Sequence, residues 1–435
     1  MASTETALTH PQDWVAPVAE TGVDAIVEVP GSKSLTNRYL VLAALADSSS
    51  IVRGWLRSRD TLLMISALRA LGAGIDEVDG ELHITPIDLA AAGSPVHIDC
   101  GLAGTVMRFV PPLAAATGRE VHIDGDPQAR VRPMDVTIDS LTRLGAQVTS
   151  ETNSLPLTIQ AGSAVRGGHL EIDASASSQF VSGLLLTAPA MPLGIDLVHH
   201  GESVPSRTHI EMTLEVLADA GVDVTEPEPE HWVVEPGLPR GLDVQVEPDL
   251  SNAAAFLAAA LATRGQITIP DWPAHTTQAG DGFRRIAEAF GGTVDLDRSG
   301  LTVRGPKRLR PVDLDLSAIG ELTPVVAALA ALTPGTSHLR GIGHLRGHET
   351  DRLSALRREL GAIGADVIEH PAALTITGSR LRAGTWHTYH DHRMVMAGAV
   401  IGLQVPGLVI ENVGTVAKTL PQFAQLWEAM LDSKD

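Results

Sequence analysis

Residues Pro30-Gly31-Ser32-Lys33-Ser34-Leu35-Thr36-Asn37-Arg38 concentrate two cations and several hydroxyls in one short stretch. The alternating run Ala25-Ile26-Val27-Glu28-Val29 leads in and the small apolar segment Leu40 to Ala46 leads out. This pattern predicts strand, tight turn and helix, with Ser32 or Ser34 placed to cap the helix start. Free amides at a helix N-terminus, aided by the macrodipole, attract anions. Lys33 stands at the mouth of this turn, and Ser34 and Arg38, four apart, share a helix face. Such a set suits phosphate or carboxylate, although an ordinary capped helix with a solvated lysine and arginine would read the same way.

Other polar turns carry related chemistry. Gly101, Ala103, Gly104, Thr105 and Arg108 form one, where glycines admit close backbone approach or close helix packing. Ala129-Arg130-Val131-Arg132-Pro133 places two cations in extended spacing, and Ser177-Ser178-Gln179 offers hydroxyls and an amide at a helix start. Gly201 to Arg207, with Ser203 and Ser206, adds another. The C-terminal half mixes carboxylates with cations: Glu321, then His348-Glu349-Thr350-Asp351-Arg352, Asp391-His392-Arg393, and Lys418 in a mostly apolar setting. The carboxylates suit a helix's first turn and Glu349 and Arg352 can pair at i,i+3, so an ordinary helix start would read the same way. The histidines His344, His348, His387, His390 and His392 lack a His-Glu-x-x-His pattern and a dense carboxylate partner set, so no metal is expected. There is no Walker loop and no Gly-x-Gly-x-x-Gly after a strand, which argues against nucleotide and dinucleotide cofactors.

These turns recur because the chain repeats, with a period of roughly 70 residues, longer than the usual solenoid repeats. The first half of each unit is a short strand, a polar turn and an Ala/Leu-rich helix, at 27–46, 97–116, 171–190, 246–262, 313–332 and 388–403. The second half is a more polar helix, a glycine stop and a hairpin, as in 66–76, 140–149, 215–224, 285–296 and 356–368; the last copy ends at 422–431 without a hairpin. Helices apolar on every face must be buried. Six βαβαββ-like units divide into two groups of three, with a boundary around Gly241–Pro248, and the chain start is expected to pair with the second half. The anion turn then sits beside the hinge, between domains, where ligand clefts form.

The 435-residue chain carries a formal charge of −20, 44% hydrophobic and 19% charged residues. Its length favours two or more domains, and its acidity argues against a nucleic-acid partner. No apolar run is long enough for a membrane helix. Met1 to Thr21 lacks a basic region followed by an apolar stretch, so it reads as a short disordered lead-in and not a signal peptide. A lone cysteine, Cys100, excludes a disulfide framework, and a cytoplasmic location is expected. Lysine occurs only at Lys33, Lys307, Lys418 and Lys434, which makes Lys33 conspicuous.

Taken together, PGSKS-x-x-NR, AGT-x-MR, SSQF, ETDR, DHR and AKT-x-P, in that order from about Val27 to Phe423, resemble the 5-enolpyruvylshikimate-3-phosphate synthase family. The resemblance implies a two-domain α/β enolpyruvyl transferase fold: six βαβαββ units, three per domain, with buried parallel helices. Domains of 27–246 and of 1–26 with 247–435 would close over the substrates. It implies transfer of the enolpyruvyl group of phosphoenolpyruvate to the 5-hydroxyl of shikimate 3-phosphate, without cofactor or metal, by a cytoplasmic monomer. Lys33, Ser34 and Arg38 would hold shikimate 3-phosphate, Lys33 also touching phosphoenolpyruvate. Ser177, Ser178, Gln179 and Ser203 would bind the shikimate phosphate and ring. Gly104, Arg132, Gln179, Arg352, Arg393 and Lys418 would bind phosphoenolpyruvate, and His348 would contact substrate as well. Glu321 would be the base and also touch substrate; Glu349 and Lys418 would move protons, with His392 and Lys33 completing the catalytic set.

The chain departs from the family pattern in places. Glu321 stands where many relatives carry Asp, His348 where Lys is common, His344 where Asn is, Leu102 for Asn and Phe109 for Pro; a substrate-contacting Tyr is absent around Ser206–Arg207. Gly104, and not Ala, implies sensitivity to glyphosate. UDP-N-acetylglucosamine enolpyruvyl transferases share the fold but usually carry Lys-Asn at the first site and a loop cysteine, unlike Lys33-Ser34 and Cys100 here. A non-catalytic phosphometabolite-binding protein would be expected to lose Lys33, Glu349 or Lys418.

Overall fold

A computed structural model describes residues 12–433 with the exception of 92 and 203. Ser203, one expected substrate contact, therefore lies outside the described residues, as do residues 1–11 of the lead-in. Twelve α-helices alternate in character along the chain: α1 (Lys33–Leu45), α2 (Arg59–Leu71), α3 (Gly104–Ala116), α4 (Asp135–Arg143), α5 (Ser178–Thr187), α6 (Arg207–Asp219), α7 (Leu250–Thr263), α8 (Phe283–Ala289), α9 (Thr323–Leu332), α10 (Arg352–Ala362), α11 (His392–Gly402) and α12 (Phe423–Asp432). The Ala/Leu/Val-rich members α1, α3, α5, α7, α9 and α11 are buried along nearly their whole length, as helices apolar all round must be. Members α2, α4, α6, α8, α10 and α12 each bury one face only. Gly72, at φ 112°, ends α2 in the left-handed conformation that glycine adopts without strain.

Five four-stranded sheets and one three-stranded sheet cover the helices. A four-stranded sheet joins one parallel pair to an antiparallel hairpin, as where Val96–Asp99 runs parallel to Val121–Asp124, which pairs with Leu157–Ile159. The apolar side chains form two cores. One runs from Leu35 to Val246; the other gathers Ala16 to Val27 with Leu250 to Met430.

Each crossing between cores leaves its strand behind. Asp24–Ile26, just before α1, lies parallel to Gln266–Ile269 in the second half. Asp243–Gln245, just before α7, lies parallel to Ser50–Arg53 in the first. The crossings themselves run side by side: Ser32 N–H donates to Glu247 O at 2.7 Å, and Asp249 N–H donates to Pro30 O at 2.9 Å. Gly31 is obligatory here, because a Cβ would stand 1.9 Å from Gly54 O. Gly31→Ala must shift one strand of this junction, and should cost about 2–4 kcal/mol. Urea unfolding checks this; an unchanged midpoint would refute it.

The reading of the lead-in as disordered is corrected from residue 12 onward. Trp14–Val15 pairs antiparallel with Val409–Ile410, Ala16 N–H donates to Leu408 O, and Trp14 packs edge-on against Phe423. The sixth sheet has no hairpin of its own, and the N-terminal segment covers the edge that would otherwise stay open. Val27–Val29, expected as strand, lies beyond the paired residues Asp24–Ile26.

Candidate active site

All six buried helices begin at one cavity of about 120 Å³ between the two cores. Ser32–Ser34 of α1, Gly104 and Thr105 of α3, Ser177–Gln179 of α5, Asp249 and Ser251 of α7, Glu321 before α9, and His392 with Arg393 of α11 line it. Their N-terminal dipoles all direct positive potential into one volume. Capping fixes the individual turns. Ser32 accepts from Leu35 N–H, Ser177 from Gln179 N–H, Asp249 from Asn252 N–H and Asp391 from Arg393 N–H. Helix α3 begins at Ala103 without a side-chain cap.

Lys33, Arg108, Arg132, Arg352 and Arg393 supply the cationic wall, against Asp249, Glu321 and Glu349, an excess opposite in sign to the chain's −20. Lys33 Nζ lies 3.4 Å from Asp60, and its backbone N–H donates to Asp249 at 3.2 Å. Arg393 donates to Ser251 O at 2.8 Å and to Asn252 at 3.3 Å. Arg352 is held bidentate by Asp391, at 2.7 and 3.1 Å, and reaches Glu349 at 3.1 Å. Burial opposes its charge, but Asp391 and Glu349 outweigh that and stabilise the guanidinium further. Arg108 and Arg132 keep their Nε–H groups buried without an acceptor. Burial, then the neighbouring Arg132, holds Arg108 well below the usual arginine range. Buried donors in that condition call for an oxyanion.

Carboxylates and imidazoles stand among these cations. Glu349 meets Lys418 Nζ at 2.5 Å, and the same Nζ reaches Leu102 O of the other core at 3.2 Å. Burial pushes the Glu349 carboxyl up, but Lys418, Arg352 and Arg132 together hold it well below the usual range. Glu321 is bonded to Ser251 Oγ and lies 3.3 Å from His209 Nε2. It too is depressed, burial being outweighed by His209, Arg393 and Ser251. Burial, aided by Arg352, lowers His344 to about 4 and His348 well below its ordinary value. Burial, then Arg393 and Lys33, does the same to His392, whose Nδ1 has no hydrogen-bond partner among the described residues. The last three are therefore neutral imidazoles near pH 7. His348, standing where a lysine is common, brings no charge.

The cavity brings together Lys33, Ser34, Gly104, Arg132, Ser177, Ser178, Gln179, Glu321, His348, Glu349, Arg352, His392 and Arg393. Lys418 stands directly behind Glu349. Arg38 does not reach the lining. It is buried and donates to Thr213, Ser34 O and His209 O at 2.8, 3.0 and 2.9 Å, so its acceptors are protein groups. Arg108, Ser206 and His344, named in the sequence without a role, also line the cavity, as do Asp249, Ser251 and His209, which the sequence did not single out. Arg108 stands one helical turn beyond Gly104, in the turn where the sequence placed it. Among the described residues, no group of three or more His, Cys, Asp or Glu could hold a metal ion, and no helix is long and apolar enough to cross a membrane.

Comparison with known proteins follows the same line. The family model of EPSP synthase (3-phosphoshikimate 1-carboxyvinyltransferase) matches residues 18–427. A 3-phosphoshikimate 1-carboxyvinyltransferase of Kocuria rhizophila is 52% identical over 443 residues, covering 99% of this chain and all of the relative. An EPSP synthase structure from Acinetobacter baumannii superposes with a TM-score of 0.80 at 24% identity, covering 97% of this chain and 98% of that one. The enolpyruvyl transferase NikO from Streptomyces tendae gives 0.71 at 17% identity, covering 95% and 96%. The two structural likenesses speak to the two-domain α/β fold, and the full-length sequence match to the activity. The chain belongs to the EPSP synthase family, the 3-phosphoshikimate 1-carboxyvinyltransferases.

Proposed function

We propose that this cavity transfers the enolpyruvyl group of phosphoenolpyruvate to the 5-hydroxyl of shikimate 3-phosphate and releases phosphate, using the residues gathered there. The observation that carries the assignment is the convergence of six helix N-termini and five cations, two of them with unpaired buried Nε–H groups, in a chain of charge −20. Two multiply charged anions fit that field, and arginine forks fit phosphate and carboxylate. On this reading Lys33, Ser34, Ser177, Ser178 and Gln179 hold shikimate 3-phosphate, while Lys33, Gly104, Arg132, Gln179, His348, Arg352, Arg393 and Lys418 surround phosphoenolpyruvate. Glu321 takes the 5-hydroxyl proton as the oxygen attacks C2 of phosphoenolpyruvate. Lys418, paired with Glu349 and beside His392, delivers the proton to C3, giving a tetrahedral intermediate. Loss of that C3 proton then expels phosphate and restores the double bond.

Residues 27–246 and the remainder are read as two domains that close on their ligands. Cations from both cores repel one another until anions bridge them, and the paired crossings at Gly31 and Pro248 serve as the hinge. The enzyme is read as a monomer of the cytoplasm, where a single buried Cys100 stays reduced. Against a UDP-sugar acceptor stands the same cysteine: burial pushes its thiol up to about 12, and it is absent from the lining.

A phosphate-release assay tests the function. Shikimate 3-phosphate with phosphoenolpyruvate should turn over and UDP-N-acetylglucosamine should not; binding of both substrates without phosphate release would sink the reading. Glyphosate should inhibit competitively with phosphoenolpyruvate. A Cβ at Gly104 would stand 3.0 Å from Gln179 Oε1 and 3.3 Å from an Arg132 Nη. Gly104→Ala should therefore displace both side chains and raise KM for phosphoenolpyruvate about tenfold, roughly 1.4 kcal/mol. Glyphosate inhibition should weaken by at least as much; unchanged KM and inhibition would contradict this placement.

A further inference from the structure

We propose that His209 is the positioning residue of the Glu321 carboxylate, and that the pair, drawn from opposite cores, forms only when the two halves of the molecule meet. This rests on the reading of Glu321 as the base. His209 stands in the first turn of α6 and Glu321 in the short turn Gly320–Leu322 before α9. Helix α6 packs in the first core and α9 in the second. His209 Nε2 lies 3.3 Å from Glu321 Oε2, while the other carboxylate oxygen is bonded to Ser251 Oγ. Both side chains are about one-fifth exposed, at 19% each, and both line the cavity.

A glutamate arm swings about three side-chain torsions, so it needs a lateral restraint on each oxygen to hold one geometry. Ser251 supplies one from within its own core. The other is His209, and a chain of contacts explains why His209 itself is fixed. Arg38, buried behind the cavity, donates to His209 O at 2.9 Å and to Ser34 O at 3.0 Å, and its Nε–H goes to Thr213 at 2.8 Å. Arg38 thereby ties the start of α1 to the start of α6. The titratable and charged groups around Glu321 are His209, Arg393, Arg38, Arg352 and Asp249. Of these, His209 alone makes direct side-chain contact with the carboxylate from the first core.

The test compares wild type with His209→Asn, His209→Lys, Glu321→Gln and the double variant His209→Asn/Glu321→Gln. With the Nε2 contact gone, the carboxyl rises from its depressed value, so the acid limb of the kcat/KM profile should move up by about one pH unit. At the optimum, kcat should fall about 30-fold while both KM values stay within about threefold. His209→Lys, which supplies a donor to the same oxygen, should return the limb towards wild type. In the Glu321→Gln background His209→Asn should cost less than about threefold, because its effect runs through the missing carboxylate. Equal losses in both backgrounds, or an acid limb that does not move, would overturn the proposal. If His209→Asn fails to fold, Glu321→Asp serves: its shorter arm withdraws from His209, so it should shift the limb the same way, and an unmoved limb again overturns it. A wild-type chain that releases no phosphate defeats the assigned reaction; an active wild type matched by His209→Asn defeats this inference alone.

Discussion

Replacing Lys33 by methionine is expected to lower kcat/KM about 10³-fold while costing only about 1 kcal/mol of stability. Methionine keeps most of the aliphatic stem and removes the charge. In the proposed complex Lys33 meets both anions, and two charge-assisted hydrogen bonds at about 2 kcal/mol each amount to that loss. The stability cost comes from Asp60, whose side chain is only 2% exposed and loses its 3.4 Å partner. Asp60 stays in the first turn of α2, where the helix dipole favours a carboxylate, which keeps the penalty small. The double variant Lys33→Met/Asp60→Asn separates the two effects. Stability should recover and activity should not. If turnover returned, Lys33 would be serving Asp60 and not the substrates.

Why Lys33 was legible in the sequence, and His209 was not, has a physical reason. Cations held at helix starts in an acidic, lysine-poor chain stand out in composition alone, and Lys33, Arg132, Arg352 and Arg393 all line the cavity. The six buried helices were equally plain, because a stretch apolar on every face has one place to go. Spacing, however, says which residues share a helix face and nothing of what lies opposite. Ser34 and Arg38 do share a turn, but what faces Arg38 is Thr213 and the backbone of His209, some 170 residues away in sequence. His209 sits on a helix of polar periodicity that reads as solvated, so its partner on another core carried no local signal. The return strand Asp243–Gln245 was hidden for a related reason: three paired residues leave too short a pattern to name a partner, and it lies parallel to Ser50–Arg53, beyond the adjacent unit. That the chain start pairs with the second half was expected, and Asp24–Ile26 does so beside Gln266–Ile269. Trp14 was misjudged because an open sheet edge at Val409–Ile410, and not the local composition, decides that the N-terminal segment is ordered.

Lys418→Met is expected to have the larger effect on turnover, about 10⁴-fold in kcat, because one side chain serves three functions. Its Nζ neutralises Glu349 at 2.5 Å, spans to Leu102 O at 3.2 Å on the other core, and completes the cationic wall. Removing one partner of a buried pair leaves the other uncompensated, a cost of about 3 kcal/mol. Among the described residues, Arg352, whose Nη2 lies 3.1 Å from Glu349, is the only other side chain bonded to that carboxylate, and the same Nη2 is already committed to Asp391. The pH dependence separates the electrostatic part from lost packing. The Glu349 carboxyl is depressed in the folded protein, so the stabilisation it contributes is fully present above the ordinary carboxylate pKa of about 4 and is lost as pH falls through the folded value. In Lys418→Met the folded-state carboxyl rises, so less of that stabilisation exists to lose. The stability gap between wild type and variant should therefore be widest near neutrality and narrow steadily below about pH 4. A gap constant with pH would mean that Lys418 acts by filling space, and it would remove the ion pair from any account of proton transfer in the cleft.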